Sequence, residues 1–112
     1  MDSPPKVSVI IPLYNREKYI VDTIKSVLNQ TYKNIELIVV DDASTDNSRK
    51  MLSPFLNKIK LLEYPDRVNK GQSAAINLGI RYSSGEYLAI LDSDDLFTPE
   101  KVFVHNLLYS AL

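Results

Sequence analysis

Short apolar runs rich in β-branched residues alternate with amphipathic segments along the whole chain. Such runs are typical of buried strands, and they predict four: Val7 to Ile11, about Ile35 to Val40, KIKLLEY (58–64) and EYLAILD (86–92). The segments between and after the runs carry apolar residues at helical spacing. This pattern predicts a helix after each strand.

Residues that start and stop helices set the expected helix boundaries. Asn15 is the expected N-cap of the first helix, and Pro54 is expected to end or kink the second. Gly85 is expected in the turn after the third helix. A last amphipathic helix is predicted after the fourth strand, with Thr98 as its N-cap and Pro99 at its first position.

Strands that alternate with helices predict βαβ units. The expected fold class is therefore α/β, a three-layer αβα arrangement in which helices cover both faces of a mainly parallel sheet. Ligands bind beyond the carboxyl ends of the strands in such sheets. Three of the four predicted strands end there in polar segments, PLYN, DDAS and DSDD. The final helix reaches Leu112 without a stop signal, so we expect residues 1–112 to be one part of a longer domain.

Composition narrows the class of protein. The 112 residues contain 13 Lys plus Arg and 14 Asp plus Glu, a balance that argues against a nucleic-acid binder. The absence of cysteine excludes disulfides and thiolate metal sites. The N-terminus does not resemble a signal peptide, and no apolar run approaches the roughly 20 residues that span a bilayer. We therefore expect a cytoplasmic location, with at most peripheral contact at the inner face of the membrane.

The acids that end the fourth predicted strand are candidate metal ligands. Side chains two residues apart point to the same side of a strand, so Asp92 and Asp94 can converge, and Asp95 adds a third carboxylate. Mg²⁺ and Mn²⁺ prefer carboxylate oxygens and complete their shells with water and phosphate. The alternative is an acidic turn in which Asp95 or Thr98 caps the last helix.

The other two strand ends carry candidate nucleotide contacts. Asp41 and Asp42 can accept hydrogen bonds from a ribose or a base, or one of them can serve only as a helix cap. Tyr14 can stack on a base, the alternative being a buried tyrosine beside an N-cap Asn15. Gly71 permits close approach of a ligand, or belongs to an ordinary loop. No glycine-rich phosphate motif is present, which leaves a metal on carboxylates to hold phosphates.

Together these segments resemble the N-terminal half of the family-two glycosyltransferases of the GT-A fold. The resemblance runs from Val7 to about Pro99 and is carried by VSVIIPLYNREKYIVDTIKSVLNQTYKNIELIVVDDASTDNS, NKGQSAAINLGI and GEYLAILDSDD. It implies a Rossmann-like half-domain that binds a nucleotide-diphosphate sugar, typically of uridine. It implies Mn²⁺ or Mg²⁺ as cofactor.

The resemblance also implies roles for individual residues. Asp42 would hydrogen-bond the base, Asp92 would contact the ribose, and Asp94 would bind the metal. The full set of implied nucleotide-binding residues is Pro12, Tyr14, Asn15, Glu17, Asp42, Gly71, Asp92 and Ser93, and the implied metal ligands are Asp94 and Asp95. Many relatives have a basic residue where this chain has Ile76. The aliphatic side chain at this position removes one possible contact to the nucleotide.

The implied reaction is an inverting displacement in which a carboxylate base deprotonates an acceptor hydroxyl. The base and the saccharide or lipid-linked acceptor site are expected beyond Leu112. An open sheet edge in a fragment would favour a homodimer. Two alternatives stay open on the sequence alone: an aspartate-based phosphatase or phosphotransferase, suggested by ILDSDDLFT, and a non-catalytic nucleotide-binding or folding unit in which the acids serve as caps.

Overall fold

A computed structural model describes residues 4–94. In order along the chain, the elements of this part are β1 (Val7–Leu13), α1 (Ile20–Leu28), β2 (Ile35–Asp41), α2 (Ser48–Met51), a 3₁₀ turn (Ser53–Phe55), β3 (Lys60–Glu63), α3 (Gln72–Arg81) and β4 (Tyr87–Ile90). The predicted last helix, with Thr98 and Pro99, lies outside the described residues, as does Asp95. None of the helices within residues 4–94 has the length and apolar content to cross a membrane.

The strands form one parallel sheet in the order β3-β2-β1-β4. Val9 of β1 pairs with Leu37 of β2 on one side and with Ala89 of β4 on the other. All seven residues of β1 are buried, because this strand lies in the interior of the sheet and both of its faces are covered. The strand order places the carboxyl ends of β1, β2 and β4 side by side.

Helices cover both faces of the sheet, which confirms the three-layer α/β prediction. Alternate side chains of β1 point to opposite faces: Val9 and Ile11 pack with α1 and the 3₁₀ turn, whereas Ile10 packs with Ala75 of α3. The close contact of α3 depends on Gly79, where an added Cβ would lie 2.6 Å from Cγ2 of Ile10. This contact fixes α3, and with it the loop that precedes α3, against the centre of the sheet.

One expected helix boundary is wrong. The first helix begins at Ile20, and Asn15 lies ahead of it in a left-handed conformation with φ of 51°. The Asn15 side chain bonds to the loop after β2 instead of starting a helix. The second helix is short and runs from Ser48 to Met51. The predicted interruption at Pro54 is confirmed, because this residue lies in the 3₁₀ turn.

The amino end of the sheet is held together by one carboxylate. Glu36 of β2 accepts hydrogen bonds from the Ser8 hydroxyl of β1 at 2.7 Å and from the Ser84 amide at 2.9 Å. Its Oε1 also lies 3.3 Å from Nζ of Lys60. Gly85 lies in the turn after α3, as predicted. Its amide donates to the Ser8 hydroxyl, so this turn joins the same network. We call this group of contacts the Glu36 latch.

Candidate functional site

A cavity of about 370 Å³ opens where the carboxyl ends of β1, β2 and β4 meet. Most of the candidate residues from the sequence line it: Pro12, Tyr14, Asp42, Gly71, Asp92, Ser93 and Asp94. The remaining lining residues were not singled out in the sequence, namely Leu13, Arg16, Asn69, Gln72 and Ala75. The polar strand ends therefore converge on one site, as the parallel topology requires.

Backbone pairing beyond the strand ends holds this site in place. The Asp42 amide donates to the Leu13 carbonyl at 2.8 Å, and the Leu91 amide donates to the Ile10 carbonyl at 3.0 Å. The buried hydroxyl of Thr23 in α1 donates to the Ser93 carbonyl at 3.0 Å. This bond holds α1 against residues 92–94 after β4, which we call the acidic tip.

Asp42 organises one wall of the cavity. The residue is only 3% exposed, and its carboxylate accepts hydrogen bonds from the Asn69 side chain at 2.9 Å, the Lys70 amide at 2.7 Å and the Gly71 amide at 2.9 Å. Two of these bonds end on Oδ2 and one on Oδ1. Since a carboxylate offers about four lone-pair sites, Oδ1 can accept a hydrogen bond from one further donor.

Gly71 adopts a backbone conformation that favours glycine. Its φ is 95°, and a Cβ built on it would meet no heavy atom within 4 Å. The requirement for glycine here is therefore conformational rather than a matter of space. The amides of Lys70 and Gly71 bond to Asp42, and a contact of Gly71 with a ligand stays a prediction.

Asp41 has a turn-forming role instead. Its Oδ1 accepts a hydrogen bond from the Ser44 amide at 3.2 Å, which turns the chain sharply after β2. It does not cap a helix, since α2 begins only at Ser48. The two acids thus differ: Asp41 shapes its own loop, whereas Asp42 holds the loop before α3.

Tyr14 lines the cavity with 42% of its surface exposed, so the alternative of a buried tyrosine is wrong. An exposed aromatic face on the cavity wall is available for stacking.

The loop after β1 is fastened to the loop after β2 by reciprocal hydrogen bonds, which we call the loop clasp. Asn15 Oδ1 accepts from the Thr45 amide at 2.7 Å and from the Asp46 amide at 3.2 Å. In return, the amide of Arg16 donates to the buried Ser48 hydroxyl at 2.7 Å, and the amide of Glu17 donates to Asp46 at 3.2 Å. The clasp fixes the segment that carries Tyr14 to the cavity.

Burial alone would raise the pKa of Asp46, but hydrogen bonds from Ser48 and from the Glu17 amide hold the pKa of this carboxyl below its usual value. The clasp therefore contains a carboxylate at neutral pH.

Asn15 and Glu17 line a second, adjoining cavity of about 260 Å³ rather than the larger one. Their proposed contacts to nucleotide stay predictions.

The acidic tip is polar and accessible. Asp92 Oδ1 accepts a hydrogen bond from the Gln72 side chain at 3.0 Å. Asp94 Oδ2 lies 3.8 Å from Nε of Arg16, and both of these side chains are about half exposed, at 47% and 45%. The larger cavity is lined by one arginine and three aspartates, a formal charge of −2.

Residues 8–105 match the family model described as Glycosyl transferase family 2. The chain belongs to this family. Among curated relatives, it is 50% identical over 97 residues to an uncharacterized glycosyltransferase of Rickettsia bellii, covering 87% of this chain and 14% of the relative. It is 46% identical over 94 residues to glycosyltransferase GlyG of Streptococcus pneumoniae, covering 80% of this chain and 30% of the relative.

Solved structures show the same likeness. Staphylococcus aureus TarS 1-349 in complex with UDP-GlcNAc matches with a TM-score of 0.83 and 31% identity, over 95% of this chain and 31% of that one. The mannosyltransferase PcManGT from Pyrobaculum calidifontis, in complex with GDP-Man and Mn²⁺, matches with a TM-score of 0.84 and 26% identity, over 98% and 33%. The chain thus spans about a third or less of the length of each of these relatives.

Family membership confirms the resemblance seen in the sequence and the Rossmann-like GT-A assignment of the fold. It leaves the phosphatase alternative without support. That class of enzyme would also place its acidic pair early in the domain, whereas here the pair follows β4.

The donor set at the acidic tip of this family-two chain fits a hard divalent cation. Mg²⁺ in particular is commonly held by one or two carboxylates together with water and substrate phosphates, and Asp92 and Asp94 line the same cavity. Within residues 4–94, no three His, Cys, Asp or Glu side chains are grouped closely enough to hold a metal alone.

Three polar lining residues escaped prediction for a common reason. Arg16 and Gln72 each stand next to a candidate residue, and Asn69 stands two residues before Gly71. Closeness to a candidate residue in the sequence is the signal that could have found them. Sequence spacing alone does not say which of two neighbouring side chains in a loop turns toward a cavity.

Proposed function

We propose that this chain is the donor-binding half of a metal-dependent glycosyltransferase that moves a sugar from a UDP-sugar to an acceptor hydroxyl with inversion. The observation that carries the proposal is the single cavity on which the ends of β1, β2 and β4 converge, with an exposed aromatic, a buried carboxylate and an acidic tip on its walls.

The nucleoside end of the donor fits the wall formed by Tyr14, Asp42 and Gly71. Tyr14 offers an aromatic face to the base. Oδ1 of Asp42 has capacity for one more donor, which suits an N–H group of uracil. Asp92, which follows β4, would accept a hydrogen bond from a ribose hydroxyl while it keeps its hydrogen bond from the Gln72 side chain.

The diphosphate end requires more positive charge than Arg16, the one cationic residue among the described lining residues, can supply. A cavity of formal charge −2 repels an anionic ligand, so diphosphate would bind only together with a cation. Asp94 is the proposed ligand for Mn²⁺ or Mg²⁺, with Asp95 in support. When bound, the cation offsets the negative charge that develops on the departing diphosphate.

Two solved relatives support a nucleotide-sugar ligand but differ in the base. TarS was solved with UDP-GlcNAc and PcManGT with GDP-Man and Mn²⁺. We assign uridine on the family resemblance and on the single remaining acceptor of Asp42. The acceptor saccharide or lipid, the catalytic base beyond Leu112 and a location at the inner face of the membrane are parts of the same proposal.

The test is calorimetric titration of the chain with UDP, with and without Mn²⁺, and with GDP and ADP as competing nucleotides. We expect UDP binding that requires Mn²⁺, and Asp94→Asn should lower UDP affinity in Mn²⁺ by about tenfold or more. Asp22→Asn removes the same charge from an exposed position on α1 and serves as the control.

Equal UDP affinity with and without Mn²⁺, unchanged in Asp94→Asn, would overturn the metal-dependent assignment. Absence of binding to any of the three nucleotides would favour the non-catalytic folding unit instead.

A further inference from the structure

Arg16 occupies a position that the family assignment does not explain. Like Asp94, Arg16 lines both cavities. Its Nη1 donates to the Asn15 carbonyl at 3.2 Å, and its Nε lies 3.8 Å from Oδ2 of Asp94. Its backbone amide is bonded to the buried Ser48 hydroxyl, so the loop clasp holds the base of this side chain.

The pairing of Arg16 with Asp94 is loose. A separation of 3.8 Å is too long for a direct hydrogen bond, and both side chains are nearly half exposed. Exposed pairs of this kind are weak and exchange easily. The guanidinium can therefore leave Asp94 while the Arg16 amide keeps its bond to Ser48 in the loop clasp.

Two ligand groups expected at this site act on Arg16 in opposite ways. A divalent cation at Asp94 takes the carboxylate away from the guanidinium and repels its positive charge. A diphosphate in the larger cavity offers the guanidinium a new anionic partner, and the planar guanidinium fork suits phosphate oxygens well. Arg16 thus disfavours the cation alone and favours the cation and the diphosphate together.

We propose that Arg16 couples the binding of the divalent cation to the binding of the diphosphate, by competing for Asp94 until the diphosphate provides an alternative partner. This inference rests on the proposed donor site and adds to it a residue that strengthens the paired binding of the metal and the nucleotide. Because such coupling is reciprocal, Mn²⁺ must tighten UDP by the same factor by which UDP tightens Mn²⁺.

The experiment measures that factor in the full 112-residue chain. Mn²⁺ binding is followed by electron paramagnetic resonance with and without saturating UDP, in the unmodified chain, Arg16→Gln, Arg16→Lys and Arg81→Gln. Arg16→Gln should bind Mn²⁺ alone about threefold to tenfold more tightly, and UDP should tighten Mn²⁺ by a correspondingly smaller factor, because only the direct contact of the cation with the diphosphate remains. Arg16→Lys retains the charge and should retain most of the coupling.

Arg81→Gln is the matched control, because it removes the same charge from an exposed position at the end of α3. It should leave both Mn²⁺ affinities unchanged. Circular dichroism of each variant checks that the fold is intact.

The possible failures are distinguishable. An unmodified chain that binds neither Mn²⁺ nor UDP contradicts the proposed function and this inference with it. If UDP tightens Mn²⁺ in the unmodified chain and equally in Arg16→Gln, the donor site stands and the role of Arg16 is overturned. A loss of coupling in Arg16→Lys as large as in Arg16→Gln also overturns it, because charge would then not be responsible.

Discussion

Replacing Glu36 by Gln tests whether the Glu36 latch stabilises the amino end of the sheet through its charge. The side chain is only 12% exposed, and its partners come from β1, β3 and the turn after α3. Burial alone would raise the pKa of this carboxyl, but hydrogen bonds from the Ser84 amide, the Ser8 hydroxyl and Lys60 outweigh burial and lower the pKa to about 2. Glutamine resembles the protonated acid in shape and lacks its charge.

The sign of the effect follows from the direction of this shift. A carboxyl whose pKa is lower in the folded chain stabilises the fold above its unfolded pKa of 4.5, and this stabilisation is lost as the pH falls toward 2. At about 1.4 kcal/mol per pKa unit, the shift corresponds to at most about 3 kcal/mol. Solvent screening of the partly exposed lysine reduces the expected contribution to about 2 kcal/mol.

Urea unfolding at several pH values measures this contribution. At pH 7, Glu36→Gln should unfold with a free energy about 2 kcal/mol below that of the unmodified chain, and the difference should shrink by about 1 kcal/mol at pH 3. Glu86→Gln removes an exposed carboxylate just before β4 and controls for net charge. A difference that stays constant from pH 7 to pH 3 would refute the electrostatic explanation, because it would show that only shape was lost.

Three further substitutions test the site and its support. Asn15→Ala removes the acceptor at the centre of the loop clasp and places alanine at φ of 51°, so urea unfolding should show a loss of about 2 kcal/mol; a loss below about 0.5 kcal/mol contradicts this role. Gly79→Ala should lower the melting temperature despite better helix propensity, because its Cβ would lie 2.6 Å from a buried atom of Ile10; an unchanged or higher value is the contrary result. Asp42→Asn keeps the shape but leaves too few acceptors for the Gly71 loop, so both stability and calorimetric UDP affinity should fall. Retention of full UDP affinity would remove Asp42 from the proposed base contact.

The strands were predictable because burial leaves little choice. A run such as VSVII can be accommodated only where both of its faces are covered, and β1 is buried throughout. Once strands and helices alternate, a parallel sheet follows, and the polar strand ends must share one edge. The convergence of Tyr14, Asp42 and Asp92 on one cavity needed no information beyond this pattern.

The loops were less predictable because their polar side chains had several possible partners. Asn15 precedes a helical pattern and is a good N-cap by local criteria, yet its oxygen bonds to Thr45 and Asp46, which are distant in sequence. Arg16 was overlooked for the same reason, since its contact with Asp94 exists only after β1 and β4 have paired. Contacts between loops depend on the finished sheet, so short-range patterns do not encode them.

Glu36 at one end of the sheet and the pair Asp92 and Asp94 at the other differ in burial and in pairing. At the amino end, the carboxylate of Glu36 is buried and surrounded by donors, an arrangement that stabilises the fold. At the carboxyl end, Asp92 and Asp94 are exposed and only lightly paired, so they remain available to a ligand. Ionised carboxylates that lie close together repel one another, so they are poorly suited to hold a sheet together. Here the fastening of the acidic tip comes instead from neutral bonds, such as the Thr23 hydroxyl on the Ser93 carbonyl. Substitutions at the acidic tip should therefore change binding far more than folding, and this expectation makes Asp94 and Arg16 suitable positions for testing the proposed site.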